Sequence, residues 1–423
     1  MGGSCQRTWL QGVPKLARGD PRISIQFLAA DRAGENTETA AMIITGVKTH
    51  VLEASLGEHG FGWSQRVTDR RQSAICVVDT DEGIQGIGEA FYFGGPANVI
   101  AALMDDGLGP LLVGHDPMDT SVLWDRLYNW TRDQGQKGLT ISAISAVDIA
   151  LWDIKGKALG LPVYKLLGGA YRTRARAYAT GLYEPQGVAS IIDALVEEAV
   201  GYREAGFTGM KLKVGYGLDT DESYVRAIRE AIGDDIALMV DANHAYNSSE
   251  AIRLTRVLAD YDVYWFEEPV VPEDVAGYME VRSASDVLIA GGECEYTRYG
   301  FRQLIDCRAV DILQPDLCAA GGYTEVMKIV AMASAASIPV IPHVWGTNVG
   351  LAAALQFHAA LPHFPERRFA AEPFFETDRS NHPFRDGVTH EQFPLDNGYL
   401  AIPDRPGLGV SLDIEFVRRF ARS

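Results

Sequence analysis

Basic residues are in short supply. Thirty-eight lysines and arginines stand against 56 aspartates and glutamates, a formal net charge of −18 over 423 residues. That balance excludes a nucleic-acid partner and docking on anionic membranes, since both need a cationic surface. Cysteines are few and scattered: Cys5, Cys76, Cys294, Cys307 and Cys318 form no Cys-x-x-Cys pair and no metal-finger spacing. A disulfide framework is excluded, and a reduced, cytoplasmic chain is expected. No apolar run reaches the roughly 18 residues of a membrane-spanning helix. A Walker A sequence is missing, and so is a G-x-G-x-x-G turn after a strand, which leaves a nucleotide-binding fold without support.

What is present is the texture of a soluble enzyme, 47% hydrophobic and 22% charged, long enough for one large barrel or two domains. Residues 1–41 lack a period and read as a poorly ordered extension; their patch Ile23–Ala30 is too brief for a secretory signal. Met42 opens a strand-like run to Leu52, and a second strand is expected over 73–79. The Gly- and charge-rich stretch Glu58–Arg71 between them suits a mobile flap. Helix is expected from about Pro96 to Lys157, with Ser142–Trp152 apolar or small nearly all round, as in a buried helix.

From about Arg174, short apolar runs alternate with amphipathic helices. Strands are expected at Arg176–Gly181, Lys211–Gly215, Ile236–Val240, Val263–Phe266, Val287–Ala290, Ala309–Leu313, Ile338–Ile341 and Arg368–Ala371, with helices such as Asp221–Ile232 and Ser248–Leu258 between. Eight strand–helix units predict a closed (β/α)8 TIM barrel, an α/β fold, over about 171–385. An α+β capping domain is expected over 42–170, completed by the tail from about 386 to 423.

Ionisable groups recur where these strands end: Lys211 and Lys213, Asp241 and Asn243, Glu267-Glu268-Pro269, Glu293, Asp316, His343 and Glu372. In such barrels the C-terminal rim holds the active site. Asp241, Glu267 and Glu293 on three adjacent strand ends would repel one another without a cation. Oxygen-only ligands suit Mg2+, with Mn2+ as a substitute; thiolate or imidazole at those three positions would have argued for zinc. Lys211 and Lys213 lie two apart on one strand face and are expected to depress each other's pKa, which makes one a general base near neutral pH. Asp316 could fix the tautomer of His343 as a second base or acid, and Glu372, if protonated, could donate to a developing oxyanion. His244 and Glu295 beside these positions are candidate substrate contacts, as is Asn243. Each motif taken singly has a plain reading, a solvated strand face or a helix-entry turn; seven on consecutive strands do not.

The series Lys-x-Lys, Asp-x-Asn, Glu-Glu-Pro, Gly-Glu, Pro-Asp, His, Glu-Pro resembles the mandelate racemase subgroup of the enolase superfamily from about Ile43 to the C-terminus, including Ser145–Lys157. The resemblance implies Asp241, Glu267 and Glu293 as Mg2+ ligands, Lys213 and the His343–Asp316 dyad as bases, Lys211 against the substrate carboxylate, and Glu372 against the enediolate oxygen. It implies a small carboxylate substrate, and a homo-oligomer, from dimer to octamer, is expected. Leu127–Gln136, Tyr178–Gly181, Trp265–Pro272 and Val310–Cys318 are similar to the branch that opens aldarolactones; Glu295 stands where that branch is expected to carry an aromatic residue. The activity implied is a lyase or cycloisomerase acting on a sugar acid or lactone. A racemase or epimerase is the alternative, and a non-catalytic metal- or sugar-acid-binding protein a remote one.

Overall fold

Two glycines decide how the N-terminal part packs. Strand Arg70–Thr80 is the middle of an antiparallel sheet, flanked by Ile44–Ser55 and Gln85–Ala90. Helix Leu139–Leu159 lies against the last of these. A Cβ on Gly86 would sit 2.0 Å from Ala150 O, and one on Gly88 2.0 Å from Ala146 O, so only glycine lets helix and strand approach this closely. Ala74, Cys76 and Val78 of the sheet share a core with Ile144, Val147 and Leu151 of the helix. The helix is buried on most of its surface, and three of its buried polar residues accept hydrogen bonds: Ser145 Oγ from Gly321 N at 2.8 Å, Asp148 Oδ2 from Thr324 N at 2.9 Å, and Asp153 from Ile87 N at 3.0 Å and Leu408 N at 2.8 Å.

This computed structural model describes residues 41–91, 97–363, 368 and 372–422; from Met42 onward the chain forms one compact unit. The expected extension lies, but for Ala41, outside the described residues.

Parallel strands Arg174–Thr180, Gly209–Lys213, Ala237–Asp241, Val263–Glu267, Leu288–Gly291 and Ile312–Leu313 follow one another in sheet order, and Phe374–Asp378 pairs back onto Arg174–Thr180. The chain thus curls into an α/β barrel carrying an N-terminal cap. Two expected strands differ. Ile338–Ile341 is reduced to one bridge, Val340 to Leu313, because Pro339 and Pro342 offer no N–H to a ladder. The eighth strand is not Arg368–Ala371, of which only Arg368, in a turn, is described; it is Phe374–Asp378. That strand carries Glu376 and Asp378 into a buried layer, so it does not read as an apolar run.

The expected flap contains a short hairpin, Phe61–Trp63 with Arg66–Thr68, whose first strand also pairs with Glu184–Pro185. The tail returns in two places: Tyr399–Ala401 adds antiparallel to Arg174–Arg176, and helix Ile414–Phe420 lies beside Ile44–Ser55.

Alternation along the barrel strands stacks the interior. Tyr178, Met239, Trp265, Ala290, Ile312, Ile341 and Phe374 form an apolar layer. Two residues further along, on the same face, come Thr180, Asp241, Glu267, Gln314, His343 and Glu376, with Gly292 following Ala290. Lys211 is buried with them. An apolar floor therefore carries a polar site.

Candidate active site

The parallel register brings Lys213 beside Asp241 and Asp241 beside Glu267. Lys213 Nζ donates to Asp241 Oδ2 at 2.5 Å and to Asn243 Oδ1 at 2.9 Å. Lys211 Nζ lies 2.5 Å from Glu267 Oε1 and 2.9 Å from Glu376 Oε1. Trp265 Nε1 and Gln314 Nε2 both donate to Glu267 Oε2, at 3.0 and 2.7 Å. On the far wall, His343 Nδ1 is 2.6 Å from Asp316 Oδ2, whose other oxygen accepts from Cys318 N at 2.6 Å. His343 Nε2 is 3.5 Å from Glu293.

One oxygen from each of Asp241, Glu267 and Glu293 lies within 4.8 Å of the others. Their electrostatics conflict. Burial opposes charge on Asp241, but Lys213 and Lys211 outweigh it and hold the carboxyl at about 2. Burial raises Glu267 to about 7 against the pull of Lys211, and burial and Glu268 raise Glu293 to about 7. Carboxyls crowded in this way raise one another, and the two lysines offset only part of that repulsion. A hard divalent cation accepting three oxygens fits this donor set.

Lys211 does lower the pKa of Lys213, as expected, but the net direction for both lysines is upward, opposite to that expected of a base titrating near neutral pH. Burial lowers the pKa of both, yet the carboxylates around them raise Lys211 well above its usual value and Lys213 as well. Burial also opposes charge on His343, while Glu293, Glu376 and Asp316 bring it up to about 10.

Lys211, Lys213, Asn243, His244, Glu293, His343 and Glu376 line one cavity of about 230 Å3, together with aromatic residues and the hairpin's Trp63, Gln65 and Arg66. The hairpin is tied to the rim: Ser64 Oγ donates to Ala242 O at 2.7 Å and Gln65 Nε2 to Asn243 O at 2.6 Å.

Two expected site residues are elsewhere. Glu372 precedes the last strand and sits at the surface, accepting from Tyr399 Oη at 2.6 Å and facing Arg174 at 3.6 Å. Glu376, four residues on and fully buried, holds the place expected for it: Thr180 Oγ1 donates to Oε1 at 2.5 Å and Val344 N to Oε2 at 2.8 Å, and Lys211 and His343 keep its carboxyl at about 2 against burial. The error came from placing the strand too early. Glu295 is turned away from the cavity, its carboxylate 2.7 Å from Lys137 Nζ and accepting from Tyr296 N at 2.9 Å. Sequence reading also missed Gln314 and Thr180, although their two-residue offset from Ile312 and Tyr178 marks them as inward-facing.

Two family descriptions fit the chain in tandem: mandelate racemase / muconate lactonizing enzyme N-terminal domain over residues 50–168, and enolase C-terminal domain-like over 194–417. D-galactarolactone cycloisomerase of Agrobacterium fabrum is 45% identical over 90% of this chain and 99% of its own length. The 3,6-anhydro-D-galactonate cycloisomerase of Zobellia galactanivorans has a solved structure that is 41% identical and superposes with a TM-score of 0.81 over 90% of this chain and all of that one. A variant L-talarate/galactarate dehydratase liganded with Mg and L-glucarate matches at 29% identity and a TM-score of 0.81, covering 94% of this chain and 96% of that one. With both halves matched in order and a relative aligned nearly end to end, the chain belongs to the mandelate racemase/muconate lactonizing enzyme family of the enolase superfamily.

Proposed function

We propose that the protein removes the α-proton of a sugar acid or its lactone and then expels a β-oxygen, as an acid-sugar dehydratase or a cycloisomerase. One observation carries this reading: Lys213 and the Asp316-held His343 reach a single cavity from the second and seventh strand positions, and the carboxylate trio lies on the strands between.

In this reading Asp241, Glu267 and Glu293 hold one Mg2+, with Mn2+ as a substitute. The bound cation supplies Lewis-acid stabilisation of negative charge on the substrate carboxylate. Lys211 faces that carboxylate. With Asp241 engaged, Lys213 loses the attraction that keeps it charged, and the Lys211 ammonium then disfavours a second positive charge beside it. Neutral Lys213 Nζ takes the α-proton, and the C–H electron pair passes into the enediolate, next to Lys211 and Glu376. Nε2 of His343 gives its proton to the leaving oxygen as the β C–O bond breaks. Loss of water is dehydration; release of an oxygen that stays tethered opens a ring. The cycloisomerase relatives support the second outcome, and talarate/galactarate dehydratase the first.

The test is a panel of aldonates, aldarates and their lactones in D2O with Mg2+, repeated with EDTA. Expected are metal-dependent turnover and deuterium at the α-carbon. Turnover surviving EDTA, or full activity in a Lys213→Ala/His343→Ala double variant, overturns the proposal. Epimerised starting material with no elimination assigns the racemase alternative instead.

A further inference from the structure

Each of the three strand ends that supplies a carboxylate to the trio supplies a second potential ligand close by: His244 after Asp241, Glu268 after Glu267, Cys294 after Glu293. One donor atom from each of these three also lies within 4.8 Å of the others. His244 Nε2 is the common point, 2.9 Å from Glu268 Oε2 and 3.5 Å from Cys294 Sγ. Glu268 is 1% exposed, and neither of its oxygens has an aligned hydrogen-bond donor. Its close polar neighbours are the other two members of the cluster, His244 and Cys294, so its oxygens keep lone pairs that a cation could take. The backbone is bent to make the arrangement: Asn243, His244 and Glu268 all have positive φ, at 43°, 60° and 44°. For residues other than glycine this is a cost borne where geometry is functionally constrained. The turn at Glu268 lets consecutive glutamates serve different clusters, Glu267 the trio and Glu268 this one.

We infer that His244, Glu268 and Cys294 form a second cation site, selective for a borderline-soft divalent ion of the zinc class, beside the all-oxygen trio. One nitrogen, one thiolate and one carboxylate are a donor set that Mg2+ refuses and zinc accepts, and three protein ligands leave a fourth position open to water. His244 and Cys294 line the cavity, which gives the ion an entry path. Binding breaks the Cys294 S–H bond and removes a proton from His244 Nε2 where it carries one; these protons pass to solvent. The site does not depend on the proposed reaction, since its ligands are distinct from the trio and from both bases.

The test uses Co2+ as a spectroscopic stand-in for zinc, added to full-length protein already saturated with Mg2+. Expected is one further bound ion with a thiolate-to-cobalt charge-transfer band, kept in Cys307→Ser, lost in Cys294→Ser, and needing over about tenfold more Co2+ in His244→Ala. His244→Ala also serves if Cys294→Ser does not fold. Absence of the band, its persistence in Cys294→Ser, or displacement of all Co2+ by Mg2+ overturns the inference. Deuterium exchange without the band, or the band without deuterium exchange, separates this site from the proposed reaction.

Discussion

Gln314 Nε2 donates to Glu267 Oε2 at 2.7 Å, and Trp265 Nε1 reaches the same oxygen at 3.0 Å. Together they fix one oxygen of a buried carboxylate and leave Oε1 to Lys211. Groups that orient a ligand in this way are worth about 10–100-fold in metal affinity. Gln314→Leu is therefore expected to weaken Mg2+ binding by that factor, read as a shift in the Mg2+ concentration that raises the melting temperature. An unchanged titration would remove Glu267 from the ligand set.

Glu376 and Glu372 make opposite predictions. Glu376→Gln removes a charge from between Lys211 and His343 and is expected to lower kcat by about 10²–10³. Among the described residues Glu372 meets Tyr399 and Arg174 at the surface, and Glu372→Gln should stay within about twofold of the parent, as surface pairs contribute little. Comparable losses in both variants would contradict the placement of the last strand.

Asp148 gives a pH dependence away from the site. Burial raises its carboxyl from 3.8 to about 7, against a hydrogen bond from Thr324. The folded state therefore holds this proton more tightly than the unfolded one. Its stabilising contribution is complete below the unfolded value and is lost as pH rises through about 7. Asp148→Asn cannot lose that proton. It should be more stable than the parent at pH 8, by on the order of 2–4 kcal/mol, with the gain shrinking steadily toward pH 4. Denaturant melts at four pH values check it, and a gain that grows on acidification would reverse the sign.

Gly88→Ala should be severely destabilising. Its Cβ would meet the backbone oxygen of Ala146 at 2.0 Å, and neither the helix nor the sheet can give way without opening the cap core. A loss of about 3 kcal/mol or more is expected in thermal or denaturant unfolding. A melt indistinguishable from the parent would mean that the helix is not seated on this strand as described.

Much of this was legible in the sequence because barrel architecture is periodic. Lys211, Lys213, Asp241, Glu267, Glu293, Asp316 and His343 could be found from their place after short apolar runs, and all seven meet in or around one site. The failures have a common origin. Where a strand carries charge inward, as at Glu376, hydropathy hides it, and a decoy Glu372 nearby is chosen. Where proline interrupts the ladder, as at Pro339 and Pro342, a strand shrinks to a bridge. The fate of Glu295 depended on Lys137, 158 residues away, and no local pattern announces such a contact. The pKa directions of the lysines likewise depended on carboxylates from other strands.

The apolar layer of Tyr178, Met239, Trp265 and Phe374 closes one end of the barrel. The site is therefore floored on that side, and the hairpin bonded to the rim through Ser64 and Gln65 forms part of the cavity wall. In the proposed reaction, a proton taken by Lys213 while the hairpin holds these contacts is returned to carbon or passed to product before it exchanges with bulk water. Isotope from bulk water should thus enter in proportion to how often those two hairpin contacts break within a catalytic cycle.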